Sequence, residues 1–238
     1  MKLACASSSL HRDIESGELT QLEFLDLCAR ELACDGVVLD VRHFPRTDDD
    51  YLAQVKKMAT DRGLTIAAVS DSGFFSETPQ RMATMLDWAI TLGAPLVSAP
   101  LARETEYSWT EQLERLSAAT SLAKSRNITL ALRNAPETFA ATAHDCKRAA
   151  KEADSAWLRF GPDPQRLDAA SDPHALAANT VLVWSDVSLE TDRSIAQILA
   201  AYANFRGHLA LDEPSETGSL AALRTSVRRW QTAMLNRI

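Results

Sequence analysis

No apolar run in this 238-residue chain approaches the ~20 residues that a membrane-crossing helix needs. The opening stretch Met1-Lys2-Leu3-Ala4-Cys5-Ala6-Ser7 turns polar too early for a secretory signal, so a cytoplasmic location is expected. A basic stripe is also missing. With a net charge of −7, the chain is not expected to grip a phosphate backbone, although a local pocket can still oppose that charge and hold a small anion. The four cysteines, Cys5, Cys28, Cys34 and Cys146, show no C-x-x-C spacing and no zinc-like pairing with the five histidines. Buried free thiols in a reducing compartment are the plain reading. Low-complexity tracts, interdomain linkers and a Ser-His-Asp constellation are absent as well. These absences leave an expectation of one domain over residues 1–238, with no nucleic-acid or membrane partner and a homo-oligomer compatible with the sequence.

What is present is a repeat of strand followed by helix. Short apolar runs begin near Leu3, Val37, Leu64, Pro95, Ile128, Trp157, Val181 and Leu209, roughly 24 to 34 residues apart, with helix-like stretches between them. Strands alternating with helices at this interval form βαβ units and a parallel sheet, and eight such units close into a (β/α)8 TIM barrel. The expected fold is therefore α/β. Chemistry in such a barrel belongs at the C-terminal ends of the strands.

The helix boundaries carry their own signals. Thr20 with Glu23 and Ser108 with Glu111 form capping boxes, and Thr78-Pro79 opens a helix with proline at its first position. Gly63, Gly93 and Asn127 supply helix stops. The first helix is expected over Thr20 to Leu32 and the fifth over Thr138 to Ala153. The sixth and seventh units are weaker, with only a brief helix around Pro173 to Ala178.

Several phrases, in this order and spacing, resemble one family. They are Leu22-Glu23-Phe24-Leu25, Cys34-Asp35-Gly36-Val37-Val38-Leu39, Arg62-Gly63-Leu64-Thr65-Ile66, Ala89-Ile90-Thr91-Leu92-Gly93-Ala94-Pro95, Leu130-Ala131-Leu132-Arg133-Asn134 and Gly207-His208-Leu209-Ala210-Leu211-Asp212. The chain resembles the xylose isomerase-like TIM barrels, the sugar-phosphate isomerase/epimerase group that includes endonuclease IV. Such barrels typically hold a divalent metal with a glutamate after strand five, an aspartate after strand six, a histidine after strand seven and a glutamate after strand eight. Here those positions fall on Arg133, at or near Gly161, on Val183 or Trp184, and on Asp212. Asp163 can be slid into register as a ligand, but Arg133 remains, and a permanent guanidinium charge repels a divalent cation. No metal and no cofactor are expected. The paired-glutamate proton transfer of the family's epimerases does not carry over, because Arg133 replaces one of the two bases.

Arg133 and Asp212 are the candidate catalytic residues. The guanidinium either stands in for the metal, holding a carboxylate, phosphate or enolate oxygen, or it forms a salt bridge with Asp212 that plugs the mouth. Asp212 is a general base only if burial raises its pKa; beside an arginine an electrostatic or structural role fits better. Candidate substrate-binding residues are His43, the retained Asn134, Trp184 and Asp186. Trp184 serves either as a stacking wall for a sugar-like ligand or as filler for the lost histidine and metal. His43 follows strand two, where a loop histidine contacts ligand or moves protons, a solvated side chain being the plainer alternative. His208 shares strand parity with Asp212 and is expected as a satisfied residue of the lower barrel. Ser7, Ser70, Asp71 and Ser98 sit at strand ends and line a polar rim. The function expected is a divergent isomerase/epimerase-like protein acting on or binding a small sugar-like or anionic ligand. The alternatives are a catalytically silent binding barrel and, disfavoured by the missing ligands and basic surface, a DNA-repair nuclease.

Overall fold

The computed structural model describes residues 1–167, 172, 174–213 and 218–236. The strands are β1 (Lys2–Ala6), β2 (Gly36–Asp40), β3 (Thr65–Ser70), β4 (Leu96–Ala99), β5 (Thr129–Leu132), β6 (Leu158–Phe160), β7 (Leu182–Asp186) and β8 (His208–Asp212). The helices are α1 (His11–Glu15), α2 (Gln21–Arg30), α3 (Asp49–Asp61), α4 (Pro79–Leu92), α5 (Trp109–Arg126), α6 (Ala143–Ala153), α7 (Asp192–Ala201) and α8 (Leu220–Leu235). All seven ladders are parallel, in the order β6-β5-β4-β3-β2-β1-β8-β7. The two ends of this sheet meet through a parallel bridge between Phe160 and Thr180 and through Trp184 N–H donating to Pro162 O at 2.8 Å. The result is a (β/α)8 barrel whose thinnest seam lies between β6 and β7.

The sequence signals explain most boundaries. Both expected capping boxes form, at Thr20–Glu23 and Ser108–Glu111, and Pro79 takes the first position of α4. Gly63 and Gly93, at φ +73° and +75°, and Asn127 at +55° adopt the left-handed stop conformation. Gly36 is required for another reason: a Cβ there would lie 2.7 Å from Thr65 O on the neighbouring strand.

The fifth expected helix starts later than Thr138. A capping box at Thr142 and Asp145 fixes its origin at Ala143, while Thr138 pairs with Arg103 in a short antiparallel bridge. A one-turn α1 precedes the first expected helix. Of the brief helix placed around Pro173 to Ala178, the described part is a 3-10 turn at Ala177–Asn179, and Pro173 lies outside the described residues.

Two apolar layers result. Between barrel and helices lie large side chains such as Phe24, Leu39, Leu52, Met82 and Trp230. The lumen holds Ala6, Val38, Ala67, Ala68, Ala131, Leu182, Trp184 and Ala210. A barrel interior is a packed core, and the small alanines leave the space that Trp184 fills. No described helix is long and apolar enough to cross a membrane.

Candidate functional site

The strand C-termini converge on a cavity of ≈ 200 Å³ whose wall includes Ser8, Asp40, Arg42, Asp71, Ser98, Arg133, Asn134, Arg166, Trp184 and Asp212. At its centre stands Arg133, one residue past β5. Its Nη1 donates to Asp212 Oδ2 at 2.7 Å and its Nη2 to Asp163 Oδ2 at 3.2 Å. Its guanidinium lies over the Trp184 ring, 4.0 Å from the centroid. Trp184 in turn donates Nε1–H to Ser98 Oγ at 3.2 Å. Burial works against the Arg133 charge, but Asp212 and Asp163 outweigh it and hold its pKa above the ordinary value.

The ion pairs continue outward. Arg166 Nε approaches Asp163 Oδ2 at 3.4 Å and also bonds Asp186 Oδ2 at 3.0 Å. Asp163 is fully buried, its Oδ1 has no hydrogen-bond partner among the described residues, and burial pushes its carboxyl up against the pull of both arginines. Asp212 closes the inner end by accepting from Ser8 Oγ at 2.6 Å. The rim from β5 to β8 is thus one line: Asp212, Arg133, Asp163, Arg166, Asp186.

Four of the candidate residues meet at the cavity: Arg133, Asn134, Trp184 and Asp212. Asn134 is nonetheless committed to backbone, donating to Asp163 O at 3.0 Å and accepting from Asp163 N at 2.7 Å. Asp186 lies behind the cavity, fully buried, where Oδ1 accepts from Ser188 N at 2.9 Å and Ser188 Oγ at 2.6 Å. His43 is not solvated. It is buried, with Nδ1 2.8 Å from Ser7 Oγ and Nε2 2.8 Å from His11 Nδ1, and burial lowers its pKa. Asp40 explains this: its side chain accepts the Arg42 N–H at 2.9 Å, bending Val41–His43 into a 3-10 turn that carries the imidazole inward. His208 does sit at the lower barrel beside Gly36, but it is not satisfied: Nε2 is buried without a partner among the described residues.

Three contributors escaped the sequence reading. Arg166 is the second arginine of the line, Ser8 bonds Asp212, and Arg42 grips Asp40 through Nε at 3.0 Å and Nη2 at 2.8 Å. The usable signal for Arg42 was local, an aspartate at a strand end followed two residues on by arginine. Arg166 and Ser8 find their partners only through the closed barrel.

A divalent cation does not fit these residues. The Arg133 guanidinium already stands between the carboxylates of Asp212 and Asp163 that would have to ligate it. At Gly161 a Cβ would press on Ala131 Cβ at 3.2 Å, so a ligand side chain there would need the neighbouring strand to give way. Among the described residues no group of three or more His, Cys, Asp or Glu is placed to hold a metal ion. A larger cavity of ≈ 780 Å³ lies against Thr180, Val181, Tyr202 and Gly207, ahead of β7 and β8. That is the end of the barrel opposite to where such folds carry their chemistry.

Eight parallel strands whose C-termini meet in a polar, charged mouth define the class of (β/α)8 barrels. The xylose isomerase-like TIM barrel family matches residues 28–206, and the chain belongs to it. At the level of sequence alone, no curated protein matches the chain. Among solved structures it is similar to D-psicose 3-epimerase of Clostridium cellulolyticum H10, at 13% identity and TM-score 0.75 over 98% of this chain and 97% of that one. It is also similar to an L-ribulose 3-epimerase, at 16% identity and TM-score 0.74 over 99% and 96%. A third is AsbF of Bacillus anthracis, a probable 3-DHS dehydratase, at 12% identity and TM-score 0.77 over the whole of both chains. Likeness at these identities speaks for the fold.

Proposed function

We propose that this chain is a divergent isomerase/epimerase-like barrel that takes a small, polar, carbohydrate-derived ligand at its C-terminal mouth, with Arg133 in place of a divalent metal. The observation that carries this reading is the position of Arg133. It lies in the cavity wall, braced by Asp212, Asp163 and the Trp184 ring, with its remaining N–H groups available to a ligand carboxylate, phosphate or carbonyl oxygen. Sugar epimerases among the structural relatives support the carbohydrate class. The cavity, at ≈ 200 Å³, is smaller than the usual ~300–1,000 Å³ of drug-sized sites and suits a ligand of few heavy atoms. Four buried free thiols and a net charge of −7 fit a cytoplasmic protein without a nucleic-acid partner.

The test is a thermal-shift screen with sugars, sugar phosphates and sugar acids, since a ligand of the native state raises Tm. A member of the panel should stabilise the wild type. Arg133→Ala should weaken its binding by about 1.5–3 kcal/mol, the scale of a hydrogen bond to a charged group. Metal analysis of protein purified without chelator should find no stoichiometric Mn, Mg, Co or Zn.

A second reading has its own observation. Both Nη groups of Arg133 are already bonded, and one face of the guanidinium is covered by Trp184, which is what a plug in a catalytically silent barrel requires. Under that reading Arg133→Ala lowers stability with no ligand present, and any ligand response survives.

A further inference from the structure

Three strand-terminal aspartates of the rim share one local design: each accepts a backbone N–H two residues on. Asp40 accepts from Arg42, Asp186 from Ser188 and Asp71 from Gly73, the last at 2.8 Å. Asp40 and Asp186 are then neutralised, by Arg42 and Arg166. Asp71, one residue past β3, has no ion pair among the described residues. Among the described residues its side chain has one hydrogen bond, from Gly73, yet it faces the mouth cavity.

Position adds to the case. Asp71 N–H donates to Ser98 O at 3.2 Å, Ser98 Oγ receives Trp184 Nε1–H at 3.2 Å, and Trp184 carries Arg133 on its face. Asp71 and Arg133 are thereby fixed to one frame, on opposite sides of β4, lining the same space. Asp163, whose Oδ1 has no partner among the described residues, is fully buried and does not line the cavity, and the remaining titratable groups are occupied. Both oxygens of Asp212 already accept, from Ser8 and Arg133, and both ring nitrogens of His43 are bonded behind the cavity. Burial, with the charges of Asp40 and Glu77 added, lifts the Asp71 pKa above the ordinary carboxylate value against the pull of the Gly73 hydrogen bond and of Arg81. A carboxylate whose pKa is raised in this way is a stronger base than a free one and is suited to proton transfer.

We propose that Asp71 is the proton-transferring group of the mouth, removing a proton from the carbon beside a ligand carbonyl whose oxygen Arg133 holds. The C–H electron pair becomes the C=C bond of an enediolate, and the carbonyl π pair moves onto oxygen, facing the guanidinium. The proton rests on Asp71, at the open mouth, where it exchanges with solvent before a proton returns to carbon, so no oxidant, reductant or cofactor is consumed. The ligand class is a small α-hydroxy carbonyl compound. This rests on the ligand-binding reading above.

The experiment runs in D2O with four probes: D-fructose, D-fructose 6-phosphate, dihydroxyacetone phosphate and 5-keto-D-gluconate. Thermal shift reads binding, and proton NMR reads deuterium wash-in beside the carbonyl. Wild type should bind at least one probe and exchange it. Asp71→Asn, whose Oδ1 still accepts from Gly73, should keep the thermal shift and lose wash-in by ~10²–10⁴-fold, the range of general acid–base catalysis, while Asp71→Glu should retain part of the exchange. If Asp71→Asn does not fold, the pH profile of wild-type wash-in carries the test, expected to fall in acid through one carboxylate pKa above the ordinary value. A profile flat through the acid range overturns the assignment, as does wash-in undiminished in Asp71→Asn. Binding without wash-in in wild type overturns the proposal and leaves the ligand-binding reading standing. A panel in which nothing binds overturns both.

Discussion

Between β5 and β8 the rim holds three buried carboxylates and two arginines bonded in one line, and all but the Arg166–Asp163 link join distant parts of the chain. Arg133 meets Asp212 across 79 residues and Asp163 across 30, and Arg166 reaches Asp186 across 20. Between β1 and β3 the charges are few and are not joined in a line. Arg42 neutralises Asp40 from two residues away, His43 sits neutral between Ser7 and His11, and Asp71 has no ion pair among the described residues. The first arc holds its ions by one another, so the loss of one strands the next. The second arc is built of separable pieces, each of which can change alone. Structural cost concentrates on the first arc.

The sharpest way to break this contrast is Arg133→Ala. It leaves Asp212 and Asp163 buried without their shared cation, and removing one partner of a buried pair costs about 3–5 kcal/mol, or about 6–20 °C in Tm for a chain of this size. Adding Asp212→Asn should recover part of the loss. Full recovery, measured by thermal melting without ligand, would favour the plug over the binding role. Unchanged Tm in the single mutant would mean the line holds nothing together.

A smaller step tests the wall behind the arginine. Trp184→Phe keeps an aromatic face but removes the Nε1–H bond to Ser98 and leaves a gap among the lumen alanines. The lost hydrogen bond alone is worth about 0.5–1.5 kcal/mol, with a packing loss added. Denaturant melts should show a shifted midpoint at constant slope. No change would show that the indole is looser than the structure places it.

How much of each arc was legible follows from the same contrast. The strands and most helix ends were readable because they are local: apolar runs, capping boxes at Thr20 and Ser108, and left-handed stops at Gly63, Gly93 and Asn127. Arg133 with Asp212 was readable as a pair only because both end barrel strands. Burial of His43 was missed because it depends on a 3-10 turn set by Asp40, although Asp-Val-Arg-His and Asp-Val-Ser-Leu carry the same turn signal at the ends of β2 and β7. Arg166 lies in the weakest unit, where the connection after β6 is made by short turns, and no periodicity points its side chain at Asp186. The late start of α6 was legible in principle from Thr142 and Asp145, a box that the apolar spacing obscured.

The β1 to β3 arc should reveal itself in acid. Burial holds the folded pKa of His43 below its unfolded value. The unfolded chain therefore binds the proton first, and stability present above the unfolded pKa of ~6.5 is lost as pH falls through the folded pKa. His43→Gln should flatten the fall of Tm below about pH 6.5 without abolishing it, because His208 is shifted in the same direction. A slope identical to wild type would show that the imidazole is hydrated.

The smallest effect is the most specific to this arc. Asp71 is a half-buried carboxylate with no ion pair among the described residues, and its folded pKa is raised above the unfolded value, chiefly by burial. A raised acid contributes stability that is fully present below the unfolded pKa and is lost as pH rises through the folded one. At neutral pH the charged form is therefore a burden on the fold, and Asp71→Asn, which keeps the acceptor for Gly73, should raise Tm. The gain should be about 1–2 °C, corresponding to the ~0.5 kcal/mol scale of substitutions that open no cavity and strand no partner. The sign of its pH dependence is the decisive feature. The advantage of the mutant should shrink as pH falls through the raised pKa and vanish near the ordinary carboxylate range, where wild type is neutral too. Lower Tm in the mutant at neutral pH would mean that Asp71 is held by a cation after all, and the two arcs would then differ only in the reach of their partners.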